Sequence, residues 1–272
     1  MSDGFRMVAR IPYPVTVPRS YAVVSEAATM DFLRSFGLPT PQIYGYSSDS
    51  DNAAGTEYIF MEFIQAAKLS DVWRNLGEQD VDSIVEQLTH IESKMMSLSF
   101  PAGGSLYYTK DLDRLAGGLG VPLKDGHFCV GPDTRLPLWY GRRQRLAVDR
   151  GPYATAEAAL ATPALKELAY LNQFGQPLLP FRRERRRAGY QNQEQSPLDH
   201  IENLNRYLLI APALVPRNQV LCRSSASVTP TSIRATSSFH SRLTPAGMSS
   251  ACSTGNTPLF YPCSSTQVYR NA

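Results

Sequence analysis

Residues 7–64 constrain this chain most, and within them the run VARIPYP at 8–14. It reads as a short apolar strand carrying one inward cation, Arg10. Pro12 and Pro14 stop it, because proline supplies no ladder donor. The run VVSEAATMDFLRSFG reads as a helix, with Ser25 and Glu26 near its start and Gly37 just past its end. Ala27, Ala28, Met30, Leu33 and Phe36 fall close to helical spacing, and Gly37 with Pro39 closes the segment. PQIYGYS at 41–47 is a short strand, and SSDSDNAAG at 47–55 is a turn of residues that tolerate left-handed geometry. TEYIFMEFI at 56–64 is the strand that follows.

A chain of 272 residues is long enough for one large domain or two small ones with an ample core. Hydrophobic content of 43% with 19% charged residues describes a soluble globular protein. A net charge of +3 is too small to argue for nucleic acid or a membrane surface. The run RRERRR at 182–187 reads as a solvated loop rather than a nucleic-acid patch. No apolar run approaches the ~20 residues that span a bilayer, so no membrane span is expected. The opening MSDGFRM shows neither an apolar signal core nor an Arg-rich amphipathic pattern, so no presequence is visible. Cys129, Cys222, Cys252 and Cys263 have neither metal-ligand nor disulfide-framework spacing, which makes a reducing intracellular compartment the expectation.

Further along, 71–76 is a helical turn and 79–98 is the clearest helix. Its Val81, Ile84, Val85, Leu88, Ile91 and Met95 form one apolar face. There His90 and the pair Met95–Met96 read as packing and surface rather than ligands. Residues 100–112 suggest a hairpin, or a loop with a short strand, and 127–153 read as irregular and rich in Gly, Pro and aromatics. Residues 154–174 are helical, with Pro163 marking a break or a new first turn. Ser196 with Pro197 opens another helix as N-cap and first position. From 203 to 272 there is no Asp or Glu, and no Lys follows Lys166. Residues 223–272 are full of Ser, Thr, Pro and Ala without sustained periodicity. Such a segment cannot bury enough apolar surface to offset its ordering entropy, and disorder is predicted.

A strand with one cation, a helix with one early carboxylate and a strand ending in Met-Glu describe the upper half of a kinase-like nucleotide pocket. Together with SEAATMDFLRSFGLPTPQIYGY, GTEYIFMEFIQAAKLSDVW, VGPDTRLPLWYGRR…RGPY and DHIENLNRYLLIAPALVP, these motifs resemble a fungal branch of the aminoglycoside phosphotransferase family. That branch includes the altered-inheritance-of-mitochondria protein. The resemblance covers about residues 7–216, with the motifs in the family's order. It implies an α+β, protein-kinase-like fold. On that reading 7–66 are an incomplete small N-lobe, 67–218 a truncated, mostly helical C-lobe, and 219–272 a low-complexity tail. It implies ATP and magnesium as cofactors, a small-molecule hydroxyl as acceptor, and a mitochondrial association. Arg10 would be the strand cation that holds the nucleotide phosphates and Glu26 the carboxylate that orients it. Met61, Glu62, Phe63 and Ile64 would be the hinge beside the adenine. The alternative for Arg10 and Glu26 is a surface ion pair, worth about 0–1 kcal/mol.

Two features depart from the family's pattern. The chain begins at the third strand of the expected lobe, without the phosphate-covering loop. Nor does a His-x-Asp-x-x-x-x-Asn loop or a later Asp-Trp pair stand after Pro216. Phosphoryl transfer needs those carboxylates to position the acceptor and hold magnesium, so no catalytic residue and no metal ligand is assigned. The tail fits a one-base frame displacement, since any Thr codon read one base early encodes only His, Asp, Asn or Tyr. Thr229, Thr231 and Thr236 then fall at the spacing of a catalytic loop's His, Asp and Asn, and 226–241 can read LRHPDLHPSNIFVS. Residues 253–270 can read DWQHSAILPLFLHAGIP, and a frameshift or misplaced intron boundary near 221–225 accounts for both. Three readings follow. The chain is an ATP-dependent phosphotransferase relative that is inactive as written, a pseudokinase or interaction module, or a non-functional product of a misread frame.

Overall fold

The computed structural model describes residues 4–13, 17–179 and 194–215. It is an α+β structure with two small antiparallel sheets and several helices. The first sheet has β1 (Met7–Arg10), β2 (Ile43–Ser47) and β3 (Tyr58–Glu62) in the order β1-β3-β2. The second has β4 (Ser105–Tyr108), β5 (Val121–Pro122) and β6 (Phe128–Gly131) in the order β4-β6-β5. The helices are α1 (Arg19–Ser35), α2 (Leu69–Val72), α3 (Glu78–Met96), α4 (Thr109–Ala116), α5 (Ala156–Phe174) and α6 (Pro197–Ile210).

Helix α1 begins earlier than the sequence pattern placed it. Pro18 sits in extended geometry as the residue before the helix, and Ala22 N donates to its carbonyl at 2.9 Å. Nothing between Arg19 and Ser35 breaks a helix, so proline rather than a side-chain cap sets the start. Ser25 is therefore a buried residue inside α1, and Glu26 stands two turns in. The other end follows the sequence. Gly37 adopts φ +70°, and Leu38 N bonds back to Leu33 O at 3.0 Å, satisfying carbonyls the helix leaves open.

The second sheet pairs the short strand expected within 100–112 with a strand from 127–153, the stretch expected to be irregular. Phe128, Cys129, Val130 and Gly131 form its central strand, paired with both β4 and β5. All four residues of β4 and all four of β6 are buried, so neither strand shows the polar alternation that marks a half-exposed strand. Both sheets pack on α1 in one core: Val23, Ala27, Ala28, Met30 and Leu33 meet Ile59 and Met61 as well as Leu106, Tyr108, Phe128 and Val130. Phe32 sits edge-on to Phe128 at 5.3 Å between ring centroids and tilts against Phe100 at 5.7 Å.

Elsewhere α3 buries Ile84 under Leu69, Val72 and Leu76, while Val85 and Leu88 on the expected apolar face stay exposed. Met95 packs against the main core, Met96 is exposed, and His90 is exposed. Pro163 does not break α5, which runs through it. Proline removes one backbone donor, but contacts beside it hold the helix, with buried Ala164 and the Tyr207 hydroxyl of α6 donating to Leu160 O at 3.1 Å. Ser196 caps α6 as expected, its Oγ accepting from Leu198 N at 3.2 Å. The basic run at 182–187, the tail at 219–272 and the displaced-frame positions Thr229, Thr231 and Thr236 lie outside the described residues.

Candidate functional site

The ladder register decides where the strand cation goes. Arg10 stands opposite Ile59 and Val8 opposite Met61. Residues paired across a ladder share a face, so Arg10 projects on the side where Ile59 and Met61 are buried against α1. There its Nε lies 2.6 Å from Glu26 Oε1. The Glu26 side chain is 9% exposed and that of Arg10 30%, so this is a largely buried pair and not the weak surface pair.

Burial dominates the electrostatics of Glu26. Desolvation pushes its carboxyl up to about 7, although the Arg10 guanidinium pulls the other way by charge and hydrogen bond. Arg10 is thus held in place by a carboxyl that titrates near neutrality, while part of its side chain stays open to solvent. The part of Arg10 left open can hold an anionic group at the edge of the first sheet, with Ile59 and Met61 buried behind it.

The other candidate residues are placed differently. Met61 is 6% exposed and belongs to the main core. The Glu62 carboxylate turns toward the start of β2, accepting from Gln42 N at 3.0 Å with Arg34 at 3.7 Å. Phe63 and Ile64 lie past the end of β3 and are half-buried, with the Arg6 guanidinium 4.9 Å from the Phe63 ring centroid. The structure brings Arg10, Glu26 and Met61 to the α1 side of the first sheet, and leaves Glu62, Phe63 and Ile64 at its end. A separate groove lined by Leu38, Pro39, Gln87, His90, Ile91 and Lys94 includes none of them.

Among the described residues no group of three or more His, Cys, Asp or Glu side chains could hold a metal ion. The carboxylate paired with Arg10 belongs to Glu26 alone, so these residues do not fit a magnesium–phosphate site. The donor set does fit a phosphate at Arg10. Among the described residues no helix is long and apolar enough to cross a membrane.

Sequence reasoning missed two tyrosine–carboxylate pairs, one that secures α1 and one that joins β2 to α4. Tyr108 of β4 donates to Asp31 Oδ2 of α1 at 2.8 Å, and Tyr46 of β2 donates to Asp111 Oδ2 of α4. These partners are 77 and 65 positions apart, so no local spacing marks them. The cluster of tyrosines in IYGYS and SLYY is the one available signal.

The chain is 41% identical over 151 residues to a subtelomeric hrmA-associated cluster protein of Aspergillus fumigatus, a match covering 55% of this chain and 29% of that protein. It is 28% identical over 172 residues to altered inheritance of mitochondria protein 9, mitochondrial, of Zygosaccharomyces rouxii, covering 55% and 28% of the two chains. The protein of that name from Candida glabrata is 27% identical over 207 residues, covering 63% and 32%. The matched part thus spans less than a third of each of these curated relatives. No protein-family model matches the chain, and no solved structure does.

Proposed function

We propose that residues 7–64 are the nucleotide-facing half of a phosphotransferase-like small lobe, of the kinase type to which the aminoglycoside phosphotransferases belong. In this reading Arg10 holds the phosphates of ATP, Glu26 orients Arg10, and Met61–Ile64 flank the base. The observation that carries it is the buried ion pair between a strand cation and a helix carboxylate beside an apolar wall. The full-length protein would transfer a phosphoryl group to a small-molecule hydroxyl, and its relatives' names favour a mitochondrial setting in a fungus. The chain as written binds without turnover, because it lacks the carboxylates that charge stabilisation in phosphoryl transfer requires. Titration with a fluorescent ATP analogue tests this. Saturable binding that Arg10→Ala removes, with no ADP released, is the expected result. Equal signal from the Arg10→Ala chain would sink the reading.

A second reading concerns the tail and draws on its lack of any carboxylate after residue 202. If the frame is displaced near 221–225, the bases encoding 226–241 spell the catalytic loop in another frame. Transcript sequencing decides this, because incompatible third-codon bases exclude it.

A further inference from the structure

We propose that the second sheet is a built-in clamp on α1, with Tyr108–Asp31 as the pair that positions α1, and with it Glu26 on Arg10, and Tyr46–Asp111 as the tie between the first sheet and the helix that follows β4. The clamp itself rests on geometry alone; its consequence for ligand binding rests on the nucleotide reading above.

Helix α1 is covered all the way round. Residues 23–30 are eight consecutive buried positions, which is more than two turns, whereas a helix lying on a single sheet buries one stripe. The first sheet supplies Ile59 and Met61 and the second supplies Leu106, Tyr108, Phe128 and Val130. A helix packed between two sheets cannot pivot from one without tearing contacts with the other.

The polar contacts cross between the layers. Tyr46 comes from the first sheet and Tyr108 from the second, and their rings stack at 5.9 Å between centroids with planes 9° apart. Tyr46 donates to Asp111, which follows β4, and Tyr108 donates to Asp31 of α1. Arg114 ties the same corner by donating to Ser48 Oγ at 3.1 Å. Burial, reinforced by these hydrogen bonds to carboxylates, pushes both phenols well above their ordinary range, so they remain donors. Asp31 lies five residues beyond Glu26 on the same helix, so a contact that fixes the roll of α1 at Asp31 fixes Glu26 as well.

Native-state hydrogen exchange on the 272-residue chain is the test, comparing α1 with α5 as the internal standard. The variant Tyr46→Phe with Tyr108→Phe should speed exchange in α1 about tenfold while α5 is unchanged. In the same variant the ATP analogue should bind several-fold more weakly. Tyr207→Phe is the control, because its hydroxyl donates to Leu160 O of α5 and not to α1; it should speed exchange in α5 and leave α1 unchanged. Unchanged α1 exchange in the double variant overturns the clamp, and so does equal acceleration of both helices. Selective opening of α1 in a chain that never bound nucleotide upholds the clamp and defeats the nucleotide reading instead.

Discussion

Glu26 sits with 9% of its side chain exposed and its Oε1 2.6 Å from Arg10 Nε, yet its proton affinity is raised rather than lowered. The cost of taking the carboxylate out of water exceeds what the guanidinium returns. This inversion makes the pair sensitive to pH near neutrality.

Stability should fall as pH rises through that range. A carboxyl with an ordinary value of 4.5 unfolded and about 7 folded binds its proton more tightly in the fold. Its contribution is complete below about pH 4.5 and is lost as pH rises through about 7, amounting to at most about 3 kcal/mol. Denaturant melts of Glu26→Gln at pH 5 and pH 8 should lack this slope. Arg10→Ala should steepen it, because the carboxylate then has no cation beside it.

Glu167 should behave in the opposite sense. Burial works against its ionisation, but hydrogen bonds from Arg143 and Lys166 outweigh that and hold its carboxyl below the usual range. Arg143 reaches it at 2.8 Å and Lys166 Nζ at 3.1 Å. Its contribution is present above the ordinary carboxylate value and is lost as pH falls through the lowered one. Glu167→Gln should destabilise the fold by about 1–3 kcal/mol at pH 7 and remove that share of acid sensitivity in urea melts.

The two sides of α3 should separate on truncation. Ile84→Ala opens the cluster with Leu69, Val72 and Leu76 and should lower stability by about 2–4 kcal/mol. Val85 is 52% exposed, and Val85→Ala should stay within about 0.5 kcal/mol by the same denaturant titration.

Gly104 is where the second sheet admits no side chain. It has φ +153°, and a Cβ there would lie 2.3 Å from the Gly131 carbonyl oxygen. Gly104→Ala should cost about 2 kcal/mol or more, read as a lowered melting temperature with earlier exchange of β4 and β6 amides.

Much of the first sheet was legible because its signals are local. Pro12, Gly37 and the polar turn at 47–55 punctuate the chain, and period-2 and period-3.6 patterns fall between them. Ser196 and Pro197 were sufficient to place the start of α6. The pairing of Arg10 with Glu26 was expected from the family resemblance, and the register opposite Ile59 shows how the chain achieves it. The start of α1 was misplaced because Ser25 resembles a cap. Pro18 had already opened the helix, leaving Ser25 no end to cap.

The sequence by itself determined the strands of the first sheet and the helices α1, α3, α5 and α6, since breakers, caps and apolar periods act between near neighbours. Only the tertiary structure decided that FCVG is the centre of a second sheet, and that Glu26 is buried deeply enough to hold its proton toward neutral pH. Those outcomes depend on residues such as Tyr108 and Asp31, 77 positions apart, whose meeting is set by packing of both sheets on one helix. Burial is a property of what closes around a side chain, and no spacing along the chain encodes it.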